Sequence, residues 1–438
     1  MNAIIGLIII LLLGYLGSQA TLFQDRFSVG IQSLFFSGIE FLFVGLALGP
    51  HGANLLSDES LRQLIPILSL GLGWIGLVIG MQFDAKVIVR VPRHAWRISW
   101  TVSAVVFVVV MSGVALGVKG LQVLLPEEAV YWLAEWPERE AVSFLGPGKQ
   151  ALGLGIVLGG VAILSSHTVV ALLKRSVDVR GEAVKLLQWL SDLGAPLAIG
   201  VLGLGYGLFH ITHMNAPGNG AEGLIWVPVM PGILWMMLTM LLGVALGWML
   251  HYLTSRRLSE NQLLLLASGT VIFSSGLSAC LHLSPLLVNL IMGATLVNLP
   301  NFMHGRIHTL LLSTEKPFFV VFLILLGALW PPITGAGLVV VTLYLVTRTV
   351  ALFLGAWVGV GWHYPAADQI PKCLGLAMLP EGGVTLAVAV DYYLIHPGSM
   401  ADLILSVIIL SVVVNQVAGP MLMLWVLRSR TQEKGEAV

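Results

Sequence analysis

Apolar runs separated by short polar stretches recur along this chain from one end to the other. Crossing the roughly 30 Å hydrocarbon core of a bilayer as an α-helix takes about 20 apolar residues. Runs of that order lie at approximately 2–18, 28–49, 62–83, 97–118, 150–173, 184–210, 224–254, 261–280, 283–299, 312–331, 334–361, 370–393 and 399–427. The pattern therefore predicts about thirteen transmembrane helices joined by short loops. One connection is longer: 119–149, "KGLQVLLPEEAVYWLAEWPEREAVSFLGPGK", reads as an acidic, amphipathic surface segment. The first run, "MNAIIGLIIILLLGYLGSQA", ends in small residues as a signal peptide does. It lacks a basic start, so it reads as a first, short membrane helix.

Composition agrees. Of 438 residues, 57% are hydrophobic and 10% charged, against about 25% charged in soluble domains. Acidic and basic residues balance at 22 each, so net charge points to no nucleic-acid partner. The positions of the basic residues carry more. Alternate loops hold Arg26; Lys86, Arg90, Arg93 and Arg97; Lys174, Arg175, Arg180 and Lys185; Arg256 and Arg257; Arg306; Lys372; and Arg428, Arg430 and Lys434, together 16 of the 22. The positive-inside rule makes that side cytoplasmic. The N-terminus is then outside, the C-terminus inside, and the protein a multi-pass component of the cell's inner (plasma) membrane. Cys280 and Cys373 fall in different helices and suggest neither a disulfide nor a metal site.

Thirteen helices divide into 1–220 (helices 1–6), a linker helix at 221–257, and 258–428 (helices 8–13), followed by a polar cytoplasmic tail, 429–438. Six-helix halves that start on opposite sides of the membrane are inverted repeats. Local patterns support this. Ser191-Asp192-Leu193-Gly194-Ala195-Pro196 and Asn415-Gln416-Val417-Ala418-Gly419-Pro420 share an order of two polar residues, an aliphatic, two small residues and proline. The helix before each is interrupted, at Ser165-Ser166-His167-Thr168 and at Pro380-Glu381-Gly382-Gly383-Val384-Thr385. Interrupted helices in matching positions of two halves point to a transporter's midplane site.

Asp192 is the sharpest chemical signal. A carboxylate at the bilayer centre costs about 2.5–3.5 kcal/mol on insertion scales, and such groups face a protein interior or a water-filled cavity. Arg348, near the middle of the eleventh helix, is its natural counter-charge; a fixed ion pair that only glues helices is the alternative. His167 at the first interruption is a group that titrates near neutrality or one that simply bonds exposed backbone. Glu381 reads as neutralising the positive end of a half-helix, and Glu40 as a carboxylate with a partner at a subunit interface. Glu315 and Lys316 sit where snorkelling accounts for them. No phosphate-binding glycine loop, metal-spaced His/Cys cluster or nucleophile elbow occurs, so the chain reads as a non-enzyme without a cofactor.

Several ordered motifs resemble the monovalent cation:proton antiporter superfamily, nearest the branch of Kef-type potassium-efflux and sodium/proton antiporters. "FVGLALGPHGANLL" resembles the end of its second helix, and "LGLGWIGLVIGMQFDAKVI" its third, with the glycine turn and acid at Gly80 and Asp84. "LSSHTVVALLKR", "LLQWLSDLGAP", "LHLSPLLVNLIMGATLVN" and "GLAMLPEGGVTLAVAV" continue the likeness over roughly 30–425. The resemblance implies an all-α fold of inverted six-helix repeats with two crossed, interrupted helices, typically assembled as a homodimer. It implies that Asp192 binds an alkali cation (Na+ or K+) or a proton in turn, with Ser191, Ser165 and Ser166 beside it and Arg348 as charge partner. His167, Thr168, Pro380, Glu381, Gly382 and Gly383 fall on the crossing breaks. Three departures stand out: Ser191 where many members have Asn, Asp or Gln; His167 at a small or hydroxylic position; and no nucleotide-binding C-terminal domain after the last helix. The expected function is antiport of Na+ or K+ against H+ by competition at a buried aspartate, Asp192, electroneutral with one proton per cation because one carboxylate titrates and arginine does not deprotonate. A sodium-coupled symporter of an organic anion is the alternative.

Overall fold

The computed structural model describes residues 38–124, 150–176, 181–208, 232–255, 258–300, 304–333, 335–364 and 370–435, with a few positions between 6 and 12. Most of the first expected span, the start of the second and most of the acidic 119–149 segment lie outside these residues. What is described is helical: α1 (Glu40–Leu48), α2 (Asp58–Met81), α3 (Ala85–Ile88), α4 (Arg93–Leu124), α5 (Gln150–Ala162), α6 (His167–Ser176), α7 (Glu182–Leu208), α8 (Gly232–Thr254), α9 (Glu260–Cys280), α10 (Pro285–Asn298), α11 (His304–Ala328) and α12 (Gly335–His363), then a short 3-10 turn (Leu374–Met378), α13 (Gly383–Ile395) and α14 (Ser399–Gly435). Among the described residues, eight helices are long and apolar enough to cross a membrane, or nine if the bent α11 is one span. Thirteen was the expectation. The difference arises partly from spans outside the described residues and partly from helices too short by themselves to cross, such as α10 and α13. α14 also runs on through Gly435, so part of the expected polar tail is helix.

The chain forms two compact units, each discontinuous in sequence: Met1–Gln19, Leu48–Val89 and Ile199–Leu326 in one, Ala20–Ala47, Arg90–Ala198 and Gly327–Val438 in the other. Both draw on the first and second halves of the chain.

In the first unit, α2 and α10 make the closest helix pair. Hydrocarbon gives apolar helices no solvent-driven reason to associate, so small residues that let backbones touch decide which helices pair. Gly76 and Gly80 of α2 lie against the carbonyl oxygens of Leu286 and Leu290, and Gly293 of α10 lies against that of Leu77. Gly243 and Gly247 fit α8 to the other side of α10. Trp74, Leu77, Leu250, Leu263, Val271, Val288, Met292 and Leu311 fill the core between them, and Trp74 stacks on Phe318 with ring centres 4.5 Å apart. A buried polar knot joins α9 to α10, where Ser274 Oγ donates to Asn289 Oδ1 (2.5 Å). Asn298 holds the turn after α2, accepting from Ala85 N (2.8 Å) and donating to Phe83 O (2.7 Å). The family-like motifs around Gly80 and 281–298 are thus scaffold.

The second unit repeats the device. Gly155 and Gly159 of α5 meet the Met111 and Phe107 carbonyls of α4, and Gly355 and Gly359 of α12 meet Val102 and Ile98 on α4. Gly375 of the 3-10 turn lies against the Leu352 carbonyl. These contacts bring the ends of two interrupted helices together.

Candidate functional site

α5 stops at Ala162 and α6 begins at His167; the 3-10 turn stops at Met378 and α13 begins at Gly383. Each stop leaves carbonyl groups without intrahelical partners, and each restart leaves N–H groups likewise. Inside a membrane these must be satisfied by protein. The two breaks serve one another: Ser166 N donates to Pro380 O at 2.8 Å. A side chain at Gly382 would press on Ser166, and one at Gly419 on the Pro380 ring, so glycine is what permits this approach.

Arg348 on α12 completes the arrangement. Its Nε donates to Ala162 O (3.3 Å), its Nη2 to Leu164 O (2.7 Å) and its Nη1 to Leu379 O (2.9 Å), so one guanidinium ties both breaks. The negative ends of two half-helices face a positive charge, which is the favourable sense. Arg348 Nη1 also lies 3.0 Å from Glu381 Oε1, both side chains being 0% exposed. Glu381 accepts further bonds from Ser411 Oγ (2.9 Å) and Asn415 Nδ2 (3.2 Å). A buried charge pair persists only when its remaining donors and acceptors are satisfied, and here every guanidinium nitrogen and both carboxylate oxygens have a partner.

This corrects the expected pairing. The counter-charge of Arg348 is Glu381, because the guanidinium is drawn to the crossing carbonyls and Glu381 sits at the same crossing. Glu381 therefore answers an arginine, and α13 has Gly382 at its N-cap with no side-chain hydrogen bond. Asp192 on α7, expected to be buried, is exposed, and its side chain makes no ion pair or hydrogen bond to another described residue. Next to it Ser191 is buried and receives a hydrogen bond from Ser165 Oγ at 2.9 Å. Ser166 Oγ pairs with Thr168 Oγ1 at 2.7 Å and lies 3.4 Å from the Val169 N–H, in the first turn of α6. His167 is half-buried beside them.

The structure thus brings Ser165, Ser166, Ser191, Pro380, Glu381, Gly382 and Arg348 into one cluster, with Asp192 adjoining Ser191. Sequence reading passed over Ser411 as a partner of Glu381, and small hydroxyls in apolar helices give little signal of that role. It also passed over Asp391, 98% buried in "AVAVDYYL" on α13. Asp391 carried the same signal as Asp192: a carboxylate in an apolar helix. Among the described residues, no group of three or more His, Cys, Asp or Glu converges as a resident metal site would require. Carboxylate and hydroxyl oxygens suit a hard cation bound in passing.

Glu40 lies in the first turn of α1, just after Gly38, whose φ is +72°. One of its carboxylate oxygens is buried without a hydrogen-bond partner.

The model of the family described as sodium/hydrogen exchanger, transmembrane, matches residues 37–425, and the chain belongs to that family. Its class is therefore a multi-pass membrane transporter exchanging sodium and protons, and not an enzyme. The fold is similar to that of the sodium proton antiporter MjNhaP1 from Methanocaldococcus jannaschii at pH 8: TM-score 0.60, 17% identity, covering 97% of this chain and 98% of the other. A second structure of MjNhaP1, from an electron-microscopy map, gives TM-score 0.57 and 16% identity over 89% and 91% of the two chains. Curated protein sequences give no significant match.

Proposed function

We propose that this protein exchanges a monovalent cation, Na+ or K+, for H+ at Asp192, one for one. The observation that carries this is the division of labour between the carboxylates. Glu381 is bound by Arg348, Ser411 and Asn415, whereas Asp192 has no hydrogen bond or ion pair to another described residue and lies beside the Ser165–Ser191 hydroxyl pair. A carboxylate in that setting is neutralised by a proton or by a cation, and it cannot hold both. Competition of the two ligands for Asp192 is sufficient for antiport. Ser191, Ser165 and Ser166 supply further oxygens to a partly dehydrated cation. Arg348 is already neutralised and does not deprotonate, so it adds no second proton and exchange is electroneutral.

The inverted-repeat reading, 1–220 and 258–428 about a linker at 221–257, gains support from matching bonds. In the first half the residue before Asp192 accepts from the break, through Ser165 and Ser191. In the second half the residue before Gln416 donates to the break, through Asn415 and Glu381. The protein works in the inner membrane as a homodimer with its C-terminus cytoplasmic. Reconstituted into liposomes with an internal pH dye and a clamped membrane potential, it should dissipate a pH gradient when Na+ or K+ is added, at a rate independent of voltage. A voltage-dependent rate would contradict the one-for-one exchange. Sodium-coupled uptake of an organic anion without proton movement would contradict the whole reading.

A further inference from the structure

Resting on that function, we propose that Trp189 is a waypoint for the cation on its path to Asp192 from the basic-loop side of the membrane. Glu182, Lys185, Trp189 and Asp192 follow one another on α7 at steps of three, four and three residues, the spacing that places side chains in a row along one helix face. The row starts at an exposed ion pair, Lys185 Nζ to Glu182 Oε1 at 2.8 Å, and ends at the exchange carboxylate. The indole, half-buried, is the large group between them, one turn short of Asp192.

It is braced from two other helices. The ring of His94, in the first turn of α4, stands edge-on to Trp189 with centres 6.3 Å apart. Tyr364, which follows α12, is perpendicular to His94 at 5.2 Å. The Tyr364 hydroxyl donates to Glu182 Oε2 at 3.4 Å, which closes the circuit back to α7. Such bracing holds a π face in place between that ion pair and Asp192. An aromatic face attracts a cation that has shed part of its water, more weakly than a carboxylate does. That is what an intermediate stop needs: it offsets dehydration without trapping the ion. Lys185, Arg93 and Arg97 are basic neighbours on α7 and α4, and Lys185 already pairs with Glu182, so the indole face is what favours a cation in this stretch.

The test is cation-dependent proton flux in everted and in right-side-out membrane vesicles, which present opposite faces to the added cation. Trp189→Ala should raise the KM for cation about five-fold when the cation is added at the basic-loop face, with the opposite-face KM unchanged and Trp189→Phe close to wild type. An unchanged KM, an equal change from both faces, or a Trp189→Phe variant as impaired as Trp189→Ala would overturn the proposal. If Trp189→Ala fails to fold, Trp189→Leu, which keeps bulk without a π face, is read in the same way. Wild type and Asp192→Asn run alongside: flux in wild type that is lost in Asp192→Asn shows that the exchange site stands whatever Trp189 does.

Discussion

Arg348 and Glu381 carry full charges at 0% exposure, and each is tolerated only because the other is there. Removing one partner of such a pair costs about 3–5 kcal/mol, whereas replacing both with apolar groups is far milder. Arg348→Met should therefore lower the thermal unfolding midpoint in detergent sharply, and Arg348→Met with Glu381→Leu should recover only the part due to the unpaired charge, since the Ala162, Leu164 and Leu379 carbonyls still lose their donor. A single variant as stable as wild type would refute the staple role. Ser191→Ala removes the hydroxyl that accepts from Ser165; at about 1 kcal/mol for a hydrogen bond, it should lower the unfolding midpoint slightly, and loss of an oxygen offered to the cation should also raise the KM for cation. At this scale the sequence made the intramembrane charges visible, since Asp192, Arg348 and Glu381 each stand out from apolar surroundings. It did not reveal the pairing. Glu381 and Arg348 are 33 positions apart, and depth in the apolar pattern singles out Asp192 as the partner; only the crossing carbonyls place the guanidinium beside Glu381.

Among the helices, backbone contact decides the packing. Gly80 touches the Leu290 carbonyl, whereas Gly276 on α9 has nothing within 4 Å of a would-be side chain. Overpacking a tight core costs about 1–3 kcal/mol, so Gly80→Val should reduce folded yield in membranes while Gly276→Val leaves it near wild type. Equal yields, read by fluorescence-detected gel filtration, would contradict the glycine-seam account. The glycines were visible in the sequence as part of motifs, but their function as seams was not, because a glycine reads alike whether it faces a carbonyl or lipid. The interruptions were more legible. Pro380-Glu381-Gly382-Gly383 and Ser165-Ser166 break the apolar pattern where α5 and the 3-10 turn stop. The described residues hold fewer full-length spans than the hydropathy pattern predicts, partly because early spans lie outside them and partly because a half-helix such as α13 is too short to cross by itself.

For the molecule as a whole, the family and the fold define a sodium/hydrogen exchanger, and the site suggests how the exchange is coupled. With Asp192 as the one unpaired carboxylate of the site among the described residues, transport should be electroneutral, and native mass measurement in lipid nanodiscs should find two copies together. A strictly monomeric particle with full activity would contradict the dimer. In the proposed mechanism Asp192, and not the Arg348–Glu381 pair, exchanges cation for proton. The most direct measurement is the cation-driven proton flux of purified Asp192→Asn in liposomes, beside wild type and checked for folding by gel filtration. The folded variant should move no protons with Na+ or K+ while wild type does. Flux in Asp192→Asn within about two-fold of wild type, less than 1 kcal/mol in barrier, would place the exchange site elsewhere.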